Sequence, residues 1–492
     1  MSVVVPVFDV AQYLPAALDS VLSQDGVELD VVVVDDGSRD ASGTIADSFA
    51  ARDARVRVIH QDNAGLGAAR NAGIAAASGE FLAFVDADDE LPPGALATLA
   101  ASLRSSGSDL AVGRVHRVRP DGAHVEPVWI TESHLAAPLL GITVDEHPLV
   151  IKNIVACNRL YRRSFWDERI GLFPVGVAYE DHVPMLVSYL RGARLDVLDE
   201  VTYLWRTRES SISQRKAEGE NLADRLGVMA IAWEVVQDEA PPVRWMWLAR
   251  ALELDLAGFY RHAATGDDVF RSSLRDAAAR YLDLAGGDAL RFVSVHRKVS
   301  AWLAANEQWG ALEWLEDRDG VLALRRRGTL SEGWPVADGG QLAEHFDLHL
   351  PHELLALSEY DTSLRALLTA VTLDDERIEV AFDSWLRGVK RPVGLDEVGL
   401  ELRIARRPEH PPLHVPATHR GRHAIAVVDV AQLRAWAGRR RARIRVDVRI
   451  SWGQIERSVP LTGRKKSFSL HGTSRDADAA LGARRRLVLR LD

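Results

Sequence analysis

The chain has 492 residues, 47% hydrophobic and 26% charged, a balance that excludes disordered, collagen-like and disulfide-scaffold proteins and allows about three domains. Its one cysteine, Cys157, excludes an intrachain disulfide, none of the usual Cys/His zinc spacings is present, and no apolar run approaches the ~18 residues of a membrane span. The net charge of −10 is uneven: residues 401–492 carry 21 Lys and Arg against 8 Asp and Glu, and residues 1–400 carry 39 against 62. Such asymmetry suits a basic module that docks on a phosphate polymer, a lipid surface or a nucleic acid. The competing reading is a coding bias that fills ordinary solvated positions with arginine, since 54 of the 60 basic residues are Arg. Met1 to Pro6 lack the basic n-region of a secretory signal, so a cytoplasmic chain is expected.

The first 120 residues alternate strand and helix patterns. Ser2–Phe8 is β-branched, and Ala11–Ser23 places Leu14, Leu18, Val21 and Leu22 on one helix face. Asp30–Asp35 carries four consecutive valines, as a strand buried on both faces of a parallel sheet does. Helices are expected over Ser42–Arg52, Gly67–Ser78 and Ala95–Ser106, and strands over Val56–His60, Phe81–Val85 and Leu110–Val118. This alternation with short connections predicts a doubly wound α/β sheet, which binds ligands at the C-terminal ends of its strands. Residues 120–215 read as short strands and loops. From 216 to 326 the pattern is helical, with Trp247, Leu248, Ala251, Leu252 and Phe259 in period and Asp255 as a polar intruder. Gly328–Gly340 reads as a linker. Short alternating segments follow, such as Arg443–Ile450, and predict one or two β-sandwiches. The expected division is an α/β domain over 1–215, a helical segment over 216–328 and a β-rich region over 329–492.

Four polar clusters fall at the C-terminal edge of the expected sheet: Pro6-Val7-Phe8-Asp9, Asp35 through Asp40, Asn63 through Gly73, and Asp86 through Asp89. Asp86 and Asp88 alternate at a strand end and so point the same way. Two carboxylates there make a hard-oxygen site for Mg2+ or Mn2+, an ion that would bind a diphosphate and neutralise a departing phosphate. Their competing reading is an acidic turn before the helix that Pro92-Pro93 opens. Asp36 could accept the N3–H of a uracil or another imide-bearing base, with Gly37 permitting the turn, or could be a solvated turn residue. Arg70 is a long cation in an Ala/Gly-rich helix, suited to a phosphate unless it is an ordinary exposed helix arginine. The run Gly65-Leu66-Gly67-Ala68-Ala69-Arg70 imitates a dinucleotide fingerprint, but its third glycine is Arg and it follows the third strand, which argues against NAD.

Together these four segments resemble the family-2 glycosyltransferases of the GT-A fold, whose pattern is P-V-Y-N, D-D-G-S-x-D, N-x-G-x-x-x-A-R-N-x-G and D-x-D-D. The likeness covers about the first 110 residues, departs at Asp9, where the family has Asn, and resumes at Tyr179-Glu180-Asp181-His182 and at Tyr203 through Ser213. It implies a GT-A catalytic domain and a nucleotide-sugar donor, a UDP-sugar above all. Pro6, Val7, Asp36, Asn63, Arg70, Asp86 and Ala87 would bind that donor, and Asp88 the metal. Asp181 would be the general base on the acceptor side, and Arg206 and Ser211 would belong to a loop over the diphosphate. His182 reads as structural.

A GT-A domain followed by helices and β-domains is also similar in layout to the poly(ribitol phosphate) wall teichoic acid glycosyltransferases. That layout implies oligomerisation or polymer binding by residues 329–492, where Arg439-Arg440-Arg441, Arg464-Lys465-Lys466 and Arg484-Arg485-Arg486 could meet an anionic acceptor. The expectation is inverting, metal-dependent transfer to a hydroxyl of a cell-envelope polymer by a homo-oligomer, with a peripheral contact at the inner face of the cell membrane and no nucleic-acid partner. The alternatives are a capsular or exopolysaccharide transferase acting on a lipid-linked acceptor, and a catalytically silent polymer-binding protein.

Overall fold

Four valines in a row make β2 (Asp30–Asp35) a strand whose middle has no solvated face, and Val31 to Val34 are fully buried. It lies between β1 (Ser2–Val7) and β3 (Val56–His60), and β1 is followed in the sheet by β4 (Phe81–Phe84). These four strands are mutually parallel. The register aligns Val7 with Asp35 and Asp35 with His60, so the loops leaving β1, β2 and β3 start side by side. The sheet continues through β5 (Leu110–Val118), β6 (His124–Val125), β7 (Leu139–Ile142), β8 (Arg159–Arg162) and β9 (Leu195–Arg206) in the spatial order β3-β2-β1-β4-β8-β5-β9-β7, with β6 beside β5. β8 runs antiparallel between β4 and β5, while β9 is parallel to β5. The mostly parallel α/β sheet expected from the alternation is therefore present, and the poorly patterned 120–215 stretch supplies β6 to β9, four of the nine described strands.

Helices α1 (Leu14–Leu22), α2 (Ser42–Arg52), α3 (Leu66–Ala76) and α4 (Ala95–Ser106) connect the parallel strands. α3 presses against β1 through Gly73, where a Cβ would fall 2.3 Å from a methyl of Val4. The structure, a computed structural model, describes the chain apart from residues 135–136, 208–215, 318–319, 321–323, 325–327, 390–396, 406, 408, 421–422, 439–441, 464–468, 472–476, 482–485 and 492. Ser211 and the basic runs, Arg486 excepted, thus lie outside the described residues. The chain forms two compact units, Met1–Ala277 and Ala278–Asp492. The first holds the sheet together with the helices His182–Arg191, Gly219–Val236 and Pro241–Arg250.

In the second unit, helices Val295–Ala305 and Trp309–Glu316 precede a largely antiparallel β structure. The Gly328–Gly340 segment, expected to be a linker, folds instead as a hairpin of Gly328–Ser331 on Trp334–Ala337. Its turn residues Glu332 and Gly333 both have positive φ, so the composition that mimics a linker is hairpin-turn chemistry. Among the described residues the remaining strands form one continuous eleven-stranded sheet. Strand Ile455–Pro460 pairs with Ala442–Trp452, and its continuation Thr462–Gly463 pairs with Leu364–Leu373, so the sheet curls back on itself. One core, with Leu368, Val380, Leu400, Val448 and Leu489, fills the inside. Among the described residues no helix is long and apolar enough to cross a membrane.

Candidate active site

The first three polar clusters are tied together by backbone-directed carboxylates. Asp36 follows β2 and donates its N–H to the carbonyl of Val7, the last residue of β1, at 2.9 Å. Its Oδ1 accepts from Gln61 Nε2 (2.7 Å) and the Ala64 N–H (2.9 Å), and its Oδ2 accepts from the Gly65 N–H (2.8 Å). Pro6 and Val7 are buried in the strand, while Asn63 stands exposed at the top of the loop that Asp36 holds. Asp9, the departure from the family pattern, accepts the Arg39 N–H at 2.7 Å, and its own N–H donates to Ser38 Oγ at 3.2 Å. Its charge thus serves to clasp the first loop to the second.

Arg70 joins the end of β4 to the turn that carries Glu180 and Asp181. It lies on α3 and is only 2% exposed, because its terminal nitrogens meet Asp86 Oδ1 at 2.7 Å and the carboxylate of Glu180. Its guanidinium also sits 5.2 Å from the Phe173 ring centroid. Burial works against this cation, but Asp86 and Glu180 outweigh it and hold Arg70 charged. Gly67 permits the close approach, since a Cβ there would lie 2.1 Å from the Pro174 carbonyl.

The fourth cluster is held from β9. The Tyr203 hydroxyl accepts the Asp86 N–H at 3.2 Å and donates to Asp89 Oδ2 at 2.7 Å. Arg206 donates its backbone N–H to Asp89 Oδ1 (2.7 Å) and its Nε to the Asp88 carbonyl (3.0 Å), and it pairs with Glu90. Ala87 is buried between Asp86 and Asp88, both of which are half-buried. Burial, with Asp88 and Asp86 adding to it, pushes the Asp89 carboxyl well above its ordinary range. Among the described residues no three His, Cys, Asp or Glu side chains form a complete ligand set. Asp86 and Asp88, half-buried at the end of β4, are the carboxylates here that could meet a hard ion such as Mg2+ or Mn2+, which takes one or two carboxylates and otherwise phosphate and water.

Asp181 stands at the start of helix His182–Arg191, yet its side chain makes no capping bond. Burial raises its pKa, while Arg70 and Arg225 pull the other way. Glu180 is likewise pushed up by burial, with Arg70 opposing. The turn that presents both carboxylates is strained: Tyr179 has φ +63°, a conformation that costs a side-chain-bearing residue roughly 1–2 kcal/mol. His182 is buried, accepts from Arg225 at 3.1 Å through Nδ1, and has its pKa driven by burial down to about 3. Sequence reasoning assigned no role to Tyr203, Arg225 or Asp255, although Asp255 stood out as the polar residue in an apolar helix period.

Residues 2–169 match the family model described as glycosyl transferase family 2. An uncharacterised glycosyltransferase, EpsJ of Bacillus subtilis, is 32% identical over 217 residues, which are 44% of this chain and 63% of that protein. The poly(ribitol-phosphate) beta-N-acetylglucosaminyltransferase TarS of Staphylococcus aureus is 28% identical over 229 residues, 45% of this chain and 36% of that one. The chain thus aligns with less than two thirds of either relative's length. The crystal structure of S. aureus TarS is similar along 100% of this chain and 84% of that one, with a TM-score of 0.55 at 16% identity. Its residues 1–349 in complex with UDP-GlcNAc match 68% of this chain and 96% of that one, with a TM-score of 0.53 at 21% identity. The fold is accordingly a GT-A α/β domain followed by helices and a C-terminal β structure.

His182 makes the unit's stability depend on pH with a definite sign. Its folded pKa of about 3 lies below the ordinary 6.5, so its contribution is complete above 6.5 and declines as pH falls toward 3. His182→Gln keeps an acceptor and takes no proton. Between pH 6.5 and 4.5 it is expected to lose less stability in urea melts than the parent, whose excess slope from this group is at most about 1.4 kcal/mol per pH unit. Parallel pH profiles for the two proteins would refute the assignment.

Proposed function

We propose, from the family-2 glycosyltransferase domain carried by residues 2–169, that the chain transfers a sugar from a nucleotide donor, a UDP-sugar, to a hydroxyl of an anionic cell-envelope polymer. The observation that carries the reading is the Asp86–Arg70–Glu180 bridge. It joins the strand-end carboxylates, which suit a diphosphate and its ion, to the Glu180-Asp181 turn, which suits an acceptor.

The two half-reactions then divide between the two sides of Arg70. On the donor side, the loops after β1, β2 and β3 receive the nucleoside, with Asp36 fixing the 61–65 segment, while Arg70 acts on the donor by orienting Asp86. Mg2+ or Mn2+ held by Asp88 and Asp86 would supply charge neutralisation for the departing diphosphate. Arg206, which ends β9 and holds the Asp88 carbonyl, stands on that side, while the diphosphate role expected of Ser211 falls outside the described residues. On the acceptor side, Asp181 takes the proton of the attacking hydroxyl. A carboxylate raised by burial and left out of helix capping is the better base near neutral pH. One base on the face opposite the diphosphate gives direct displacement with inversion.

The acceptor reading draws on the TarS-like layout along the whole chain and on the excess of basic residues in 401–492. We assign residues 329–492 to acceptor contact and homo-oligomer assembly, and place the enzyme in the cytoplasm, peripheral to the membrane. Phosphate contacts of exposed arginines are screened by salt. The apparent KM for poly(ribitol phosphate) is therefore expected to rise steeply with ionic strength, and the solution mass to exceed 54.2 kDa. A salt-independent KM together with a monomeric mass would remove this assignment.

Two substitutions test the chemistry. Asp181→Asn is expected to lower turnover by a factor of about 10²–10⁴ while UDP affinity stays the same. Loss of UDP affinity in step with turnover would make Asp181 a donor ligand or a structural residue. Asp88→Ala is expected to abolish the Mn2+-dependent part of UDP binding, measured by calorimetry with and without the ion, and to leave the melting temperature unchanged. UDP binding that ignores Mn2+ in the parent protein would rule out the metal role.

A further inference from the structure

One face of the helix Gly219–Val236 grips the turn that carries Glu180 and Asp181. Asn221, Asp224 and Arg225 are spaced three and four residues apart and so share that face. Asp224 Oδ2 accepts the Ala178 N–H at 3.3 Å, and Asn221 Oδ1 accepts the Tyr179 hydroxyl at 2.6 Å. The Arg225 guanidinium lies 3.4 Å from the centroid of the Tyr179 ring and donates to His182 Nδ1 at 3.1 Å. Residues 178, 179 and 182 are held in this way; of the two carboxylates between them Glu180 is paired with Arg70, and Asp181 remains for the site.

We propose that Arg225 is a positioning residue for Asp181, acting through the strained Tyr179 turn and the His182 ring to fix the acceptor-side carboxylate. The inference rests on the transferase reading above. Tyr179 at φ +63° would relax unless its ring and hydroxyl were fixed, and relaxation would redirect the Asp181 carboxylate two residues on. Arg225 can serve as a rigid anchor because it is itself held from behind: it is 9% exposed and donates to Asp255 Oδ1 at 3.1 Å. Asp255, 3% exposed, also accepts from Arg250 at 3.2 Å, and Arg250 donates to the Lys152 carbonyl at 2.6 Å. Such a buried network is a poor source of net stability, since desolvation offsets most of the attraction and neutral replacement of a whole pair is often tolerated. Its presence beside the site is better explained by orientation than by stability.

The test replaces both charges of the pair, Arg225→Gln with Asp255→Asn; Arg250 keeps its bond to the Lys152 carbonyl, and a urea melt checks that the variant is folded. UDP with Mn2+ is the binding probe, and UDP release from UDP-GlcNAc in the presence of poly(ribitol phosphate) is the rate. Affinity for UDP is expected to stay within about twofold, while kcat falls by roughly 10- to 100-fold, the effect of a misplaced reacting group. Tyr179→Phe, which removes only a hydroxyl, is expected to move kcat the same way by a smaller factor. Combining the double replacement with Asp181→Asn should cost nothing beyond Asp181→Asn alone, because residues that act as one unit do not add. Full kcat in the double variant, a loss of UDP affinity proportional to the loss of rate, or additive losses in the combined variant would each overturn the positioning role while leaving the transferase reading intact. If the parent neither bound UDP nor released it from UDP-GlcNAc, the transferase reading would fall, and the positioning role with it.

Discussion

A guanidinium withdrawn from water is the constraint around which the site is built. Arg70 alone would be intolerable at 2% exposure, because a buried unpaired charge costs several kcal/mol even after relaxation. It is tolerated because β4 ends in Asp86 and the 178–182 turn offers Glu180, one to each terminal nitrogen. The planar fork of arginine allows two such contacts in fixed directions, which a lysine ammonium would not impose. Phe173 lies beneath it and is itself pinned by Asn71, whose side chain donates to the Phe173 carbonyl at 2.9 Å and accepts its N–H at 2.8 Å. α3, β4 and the turn before His182 therefore cannot move independently. Any shift that opened one contact would strand either the cation or a buried carboxylate.

That pairing also sorts the carboxylates by role. Asp86 and Glu180 share one cation, and Asp89 is committed to Tyr203 and the Arg206 backbone. Asp181, the remaining acid of the Glu180-Asp181 pair, makes no capping bond at its helix start. Burial raises Asp181, and the arginines on both sides limit the rise. Arg70 supplies that limit from the sheet side and Arg225 from the helical side.

The sheet was legible because its strands carry valine runs and its crossover helices carry Ala and Leu at helical spacing, and the four loop clusters follow from strand order alone. β8 was not legible, since Arg159-Leu160-Tyr161-Arg162 shows no apolar run. Arg159 is nevertheless fully buried, because its Nη2 donates to both the Asn153 carbonyl at 2.6 Å and the Tyr189 hydroxyl at 2.8 Å. Hydrophobic periodicity cannot register a cation whose partners come from other elements. Tyr203 is hidden for the same reason: nothing in its own strand says that its hydroxyl serves two aspartates at the end of β4. The Gly328–Gly340 hairpin failed differently, through a turn whose residues are those of a linker.

Asp255 shows how much a local irregularity can carry. The helix Pro241–Arg250 passes directly into a π-turn over Ala251–Asp255, and such single-turn insertions shift every later residue around the helix axis. Asp255 closes that π-turn and sits against Arg225 and Arg250. A second π-turn, Trp166–Ile170, lies before Phe173 and begins with the fully buried Trp166, whose ring packs on Phe84 and Phe173. One π-turn thus precedes the residue beneath Arg70, and the other ends at the residue behind Arg225. Both arginines that flank the Asp181 carboxylate rest on backbone departures from the regular helix, and a reading by 3.6-residue period alone loses its register at such points.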